Sequence, residues 1–189
     1  MPRFFPRTLI ALILLFVPLV AVAVPRQSPE YAVKLTTGRQ LLLSSYRGRV
    51  VVLMFVSTDC PHCQAAARLM ETIQKEYRPR GLQTLAVAFN DMAMMLVPGF
   101  INQTGASFPV GYDARESVFS YLQLPLTFRM FVPTMVFIDR QGMIRGQYLG
   151  DDKFFDNTEK NIRSTLETLL KEPAAAPQAA SKAPPPRSK

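Results

Sequence analysis

The chain has 189 residues, 48% of them hydrophobic and 19% charged, enough for one ordinary core and not for two. Of the formal net charge of +8, two units lie in residues 1–23 and three in residues 171–189, so residues 24–170 carry about +3. That is too little to indicate a nucleic-acid partner, and neither an internal repeat nor a phosphate-binding glycine loop appears.

The first residues hold Arg3 and Arg7 with no acid, followed by an uncharged stretch from Thr8 to Pro25 that contains Ala21-Val22-Ala23. This layout predicts that residues 1–23 are a secretory signal peptide cleaved after Ala23, or a membrane anchor that stays attached. An apolar run of about 17 residues is at the short edge of a bilayer span. Either outcome places the folded part outside the cytoplasm. Residues 26–49 contain two short strand-like runs, around Tyr31–Leu35 and Gln40–Leu43, joined by a turn at Thr36-Thr37-Gly38. Val50–Val56 is a continuous valine-rich run, the pattern of a strand buried on both faces.

Directly after that strand come Ser57-Thr58-Asp59-Cys60-Pro61-His62-Cys63, which hold both cysteines of the chain. A disulfide closing so short a loop constrains little of the unfolded chain, so the pair is better explained by reactivity than by stabilisation. With a helix beginning near Cys60, its sulfur meets unpaired backbone N–H groups and the positive end of the helix dipole, which favour the nucleophilic thiolate. Pro61 suits the first helical turn because its missing N–H would have had no partner there. His62 can add charge or a hydrogen bond beside the sulfur. Cys63 returns to the same helical face, where it can attack a mixed disulfide at Cys60. A closed zinc site would need further ligands, and the chain has no other cysteine and no histidine but His62. Binding of Cu(I) by the two thiolates is chemically allowed.

The helix should run from Cys60 to Tyr77, with apolar positions at Ala66, Leu69, Met70, Ile73 and Tyr77, and Leu82–Phe89 reads as a second buried strand. Asn90–Gln103 is expected to be helical, with Met92, Met94 and Met95 packed into the core. Ser107–Gly111 reads as a short strand, and Asp113–Leu122 as a helix capped by Asp113. Met130–Ile138 and Met143–Leu149 flank Asp139-Arg140-Gln141-Gly142 as a hairpin, and a closing helix spans about Asp151 to Lys171. From Pro173 onward the Ala-Pro-Ser-Lys composition cannot form a core, and its basic residues serve solubility or touch an anionic membrane surface.

The order strand, Cys-x-x-Cys, helix, strand, helix, then Phe131-Val132-Pro133-Thr134-Met135-Val136-Phe137-Ile138-Asp139-Arg140-Gln141-Gly142, resembles the thioredoxin superfamily, and more narrowly the exported TlpA and ResA type of redoxin. The resemblance covers roughly residues 28–170. It implies an α/β, thioredoxin-like fold: a central mixed sheet flanked by helices, with an N-terminal hairpin and an inserted helix and strand. The domain would span residues 26–171, followed by a disordered tail at 172–189. By the same resemblance Pro133 is a cis-proline facing the cysteines, and the backbone of Val132 pairs with a substrate strand. Cys60, Cys63, Pro61, His62 and Pro133 are then the catalytic set, and Val132 and Pro133 the substrate-binding pair.

The chain departs from the family pattern in three ways. Asp59 stands where Trp usually precedes the first cysteine, and Met54 stands six residues before Cys60, where many relatives carry a buried acid. The Pro61-His62 dipeptide is that of the oxidising DsbA family, which leaves the direction of electron flow open. The function expected is an exported thiol:disulfide oxidoreductase whose redox group is the Cys60–Cys63 pair itself, with no other cofactor and no resident metal. Its partners would be protein thiols and disulfides and an envelope or membrane redox partner. A peroxiredoxin-type thiol peroxidase and a Cu(I) chaperone on the same fold are the alternatives. The peroxidase loop would want Pro and Thr where this chain has Leu53 and Ser57.

Overall fold

Seven consecutive apolar residues, Val50–Val56, are buried along their whole length, and the rest of the molecule is arranged around them. The structure, a computed structural model, describes residues 24–173. Its elements are β1 (Arg26–Gln27), β2 (Ala32–Lys34), β3 (Gln40–Leu42), β4 (Val50–Val56), α1 (Pro61–Tyr77), β5 (Leu82–Ala88), α2 (Ala93–Thr104), β6 (Val110–Tyr112), α3 (Arg115–Leu122), β7 (Thr134–Ile138), β8 (Met143–Tyr148) and α4 (Thr158–Lys171). The strands form one sheet in the order β1-β8-β7-β4-β5-β6-β2-β3. β4 runs parallel to β5 and antiparallel to β7, so the α/β class with a mixed sheet is what is observed.

Alternation along β4 divides the core in two. Val50, Val52, Met54 and Val56 face α1, α2 and α4, whereas Val51, Leu53 and Phe55 face α3 and the β2–β3 hairpin. α1 joins β4 to its parallel neighbour β5 and lays Ala66, Met70, Ile73 and Tyr77 on the first face. Gln74 is a polar side chain that α1 buries there. Its amide donates to the Leu82 carbonyl at 3.2 Å and accepts from the Thr84 N–H at 2.6 Å, tying α1 to β5 inside the core.

Several expectations are corrected. Met92, Met94 and Met95 lie outside the core, at 64, 52 and 67% exposure. The buried stripe of α2 is Ala93, Val97, Phe100 and Thr104, and helical spacing turns the methionines away from it. Asp113 does not cap α3, whose first residue follows Ala114; its carboxylate instead accepts from Lys34 at 2.6 Å, across the junction of β6 and β2. The strand before α3 is Val110–Tyr112 rather than Ser107–Gly111. The last helix starts at Thr158, because Asp152 caps a separate 3-10 turn at Lys153–Asn157 that buries Phe154 against the Tyr148 ring at 4.0 Å. β7 begins only at Thr134, leaving Phe131–Pro133 outside the ladder. β1 had no signal in the sequence; it is a two-residue strand placed by pairing with Met143 and Ile144. The expected leader over 1–23 and most of the tail, from residue 174 onward, lie outside the described residues.

Gln74→Ala leaves a buried N–H and a buried carbonyl without partners and should lower the stability to urea by about 2–4 kcal/mol. A change below about 0.5 kcal/mol would show that the side chain does not join α1 to β5.

Candidate active site

The reactive end is built where β4 stops. After Val56 the chain leaves the sheet, and its next residues are held by polar side chains. The Thr58 N–H donates to the Asn90 side-chain oxygen at 3.0 Å, and the Asn90 amide donates back to the Thr58 hydroxyl at 2.9 Å. The Gln64 amide reaches back from α1 to the Thr58 carbonyl at 3.0 Å. Thr58 is buried, and these three bonds fix the segment that delivers Cys60.

Cys60 is the N-cap of α1, with extended backbone at φ −83° and ψ 117°, and Pro61 occupies the first turn. Its sulfur accepts the Cys63 N–H at 3.4 Å, satisfying one of the open donors of the helix start. Cys60 is partly exposed, Cys63 is buried, and the two are not joined by a disulfide.

The facing wall is Phe131-Val132-Pro133, where the Val132–Pro133 peptide is cis. The Cys60 sulfur lies 4.0 Å from the Val132 carbonyl oxygen. Two bonds hold this turn through the Phe131 carbonyl, which accepts the Thr134 hydroxyl at 3.1 Å and the Gly150 N–H at 3.0 Å. Gly150 has to be glycine for lack of space. A Cβ there would stand 2.7–2.8 Å from the backbone atoms of Phe131 and Val132. Between this wall and α1 runs a groove of about 410 Å³, lined by His62, Ala65, Leu69, Phe131, Pro133 and Phe155 among others.

Burial pushes the Cys63 thiol well above its ordinary range; a hydrogen bond from the Ser57 backbone opposes this, and the Cys60 sulfur and the Asp59 charge add to it. Among the described residues no positive charge opposes this shift. The position where many relatives carry an acid is Met54, fully buried in the same cluster as Cys63. Asp59 is exposed and accepts a hydrogen bond from the Ser57 hydroxyl.

All six residues singled out from the sequence meet at this end of the molecule: Cys60, Pro61, His62 and Cys63 on the start of α1, Val132 and Pro133 opposite. His62 is exposed and lines the groove. Sequence reasoning missed Asn90, Gln64, Thr134 and Gly150. Asn90 carried a usable signal, as a polar residue at the end of a buried strand; Gly150 carried none, because its close approach is to residues distant in sequence.

The fold and the paired cysteines define a thioredoxin-like redox protein. Residues 23–166 match the Redoxin family model, and the chain belongs to that family. It is similar to the thiol-disulfide oxidoreductase ResA of Geobacillus thermodenitrificans, with 28% identity over 88% of this chain and 96% of that protein. It is similar also to ResA of Bacillus anthracis, with 28% identity over 67% of this chain and 69% of that protein. Among solved structures, a thiol:disulfide interchange protein of the thioredoxin family from Chlorobium tepidum superposes with a TM-score of 0.64 at 21% identity, covering 79% of this chain and 99% of that one.

Gly150→Ala should displace the Phe131–Val132 turn, cost about 1–3 kcal/mol of stability and slow the reaction of Cys60 with a peptide disulfide by about tenfold or more; an unchanged rate would mean that the turn does not need its present position. The raised Cys63 pKa also fixes a pH dependence. The neutral thiol is favoured in the folded state, so its contribution is complete below the unfolded thiol value of about 8.5 and is lost as pH rises beyond it. In urea titrations of the reduced protein, the loss of stability between pH 7 and pH 9.5 should be smaller in Cys63→Ala than in the parent chain.

Proposed function

We propose that the protein is an exported thiol:disulfide oxidoreductase that exchanges disulfides with protein substrates through Cys60 and Cys63. The observation that carries this reading is the unequal pair at one helix start. One sulfur is accessible, receives a backbone N–H and faces the Val132 carbonyl, and the other is buried one turn behind it. Membership of the Redoxin family and the relatives named thiol-disulfide oxidoreductase support the same reaction class.

In the reducing direction, the Cys60 thiolate attacks one sulfur of a client disulfide. The client S–S bond breaks, a mixed disulfide forms, and the second client sulfur leaves as a thiolate that takes up a proton. Cys63 then attacks the Cys60 sulfur of the mixed disulfide. The Cys60–client bond breaks, the Cys60–Cys63 disulfide forms, and the Cys63 proton passes to the departing client sulfur. The client gains two electrons and the protein loses two, to be restored by an envelope thiol partner. Run backwards, the same steps donate a disulfide. The cysteine pair is the whole redox group. Pro61 and His62 shape the helix start around it, and Val132 and Pro133 form the wall along which a client chain lies. Export is supported by Arg3 and Arg7 preceding the uncharged stretch from Thr8 to Pro25.

Cys60→Ser should abolish exchange, and Cys63→Ser should accumulate a mixed disulfide with a peptide client, seen as a mass adduct that dithiothreitol removes. Release of that client in the parent protein should be nearly independent of pH between about 7 and 9, because the Cys63 proton passes to the departing sulfur within the complex; a rise of about tenfold per unit would mean that it is lost to solvent first. Exchange that survives Cys60→Ser would sink the assignment. Cys60 should react in intact cells with a maleimide that cannot cross the cytoplasmic membrane; labelling only after lysis would refute export.

A further inference from the structure

Of the nine large apolar side chains exposed among the described residues, four lie within five positions at the start of α2: Met92, Met94, Met95 and Leu96. They are placed beside the reactive end. Asn90, two residues before Met92, makes the paired hydrogen bonds to Thr58, two residues before Cys60. The path from the sulfur to this shelf is therefore Cys60, Asp59, Thr58, then across to Asn90, Asp91 and Met92. Along it Asp59 and Asp91 are both exposed carboxylates.

The opposite flank of Cys60 has a different character. There the groove presents His62, Leu69, Phe131 and Phe155, and the Arg129 guanidinium lies 5.2 Å from the Phe131 ring. Asp59 and Asp91 stand along the chain on the α2 side, and among the described residues no carboxylate lines the groove.

Resting on the thiol-exchange reading above, we propose that the methionine shelf is a second client subsite, and that it takes an apolar, cation-bearing stretch of the polypeptide whose cysteine is joined to Cys60. A client sulfur within bonding distance of Cys60 fixes where its chain passes. Residues on one side of that cysteine lie in the groove, and residues on the other side must cross Asp59 and Asp91 and then meet Met92, Met94, Met95 and Leu96. The carboxylates complement a lysine or arginine near the client cysteine, and the thioethers complement apolar side chains beyond it. Methionine suits a surface that receives varied sequences, because its unbranched side chain repacks around different shapes. The protein is therefore matched to extended clients with mixed basic and apolar flanks around the cysteine, and discriminates against acidic ones.

The test uses the full chain and the triple variant Met92→Gln, Met94→Gln, Met95→Gln, whose sites are exposed and whose folding is checked by circular dichroism. Three probes are compared: glutathione disulfide, a peptide disulfide with Leu and Lys on both sides of its cysteine, and the same peptide with Ser and Glu. The parent should prefer the Leu/Lys peptide by about tenfold or more in kcat/KM. The triple variant should lose most of that preference through KM and react unchanged with glutathione disulfide. Asp91→Asn should lower only the Lys-dependent part, and added salt should do the same in the parent. A preference that survives the triple variant, or none in the parent, overturns the subsite. So does a shelf whose substitution alters binding to anionic lipid vesicles and leaves the peptide preference intact. A parent chain inert to glutathione disulfide would instead bring down the exchange reading itself, and the subsite with it.

Discussion

The register of β4 against its two neighbours determines everything at the reactive end. Val56 pairs with Ala88 in the parallel ladder to β5, and Phe55 pairs with Thr134 in the antiparallel ladder to β7. Continuing β5 by two residues places Asn90 level with Thr58, and stepping back from Thr134 places Pro133 and Val132 beside the chain that leads to Cys60. One strand end thus meets a support on one side and a reactive wall on the other. Because side chains alternate, a slip of one residue would turn Val52, Met54 and Val56 to the wrong face and separate Thr58 from Asn90. The burial of β4 is what forbids that slip.

From this register follows the inequality of the two sulfurs. Cys60 is the cap residue, outside the helical turn and partly open to solvent, whereas Cys63 sits on the face that α1 turns to the sheet, in the same buried cluster as Met54. Burial raises the pKa of Cys63 and withholds its thiolate. In the proposed exchange the open sulfur is then the one a client meets first, and the buried one acts only after a mixed disulfide has formed within its reach. Order of attack is set by packing rather than by recognition.

How far this was legible in the sequence differs from element to element. The strand, the paired cysteines and the helix behind them were legible because each is local: an unbroken apolar run, a proline suited to a first turn, and apolar residues at helical spacing. The facing wall was reached through the resemblance carried by Val132-Pro133-Thr134, since nothing local says that residues 70 positions apart will meet. Asp113 misled because Lys34, far away in sequence, claims its carboxylate. The methionines misled because hydrophobicity reports that a side chain is apolar and not which face of the helix it occupies; Ala93, Val97 and Phe100 already fill the face that α2 buries. β1 could not be read at all, because Arg26 and Gln27 become a strand only by pairing with β8, with the Arg26 guanidinium held by Gln147 at 2.9 Å.

Met54 raises the question of where the Cys63 proton goes. The family resemblance leads one to expect an acid there as a proton acceptor; here that face of β4 is entirely apolar. In the proposed exchange the resolving step is neutral overall, since the client sulfur that leaves Cys60 is itself a base and ends as a thiol. The departing sulfur can therefore take up the charge that burial denies to Cys63, provided that it stays close while the new bond forms. A client held only at its cysteine would swing away as the bond lengthened. One held on both flanks, in the groove and on the methionine shelf, keeps its sulfur over the pair until the proton has moved. On the proposed reading, the apolar face beneath Cys63 and the two client-holding flanks of Cys60 are then two sides of one arrangement, in which binding of the client does part of the work that a buried carboxylate would do.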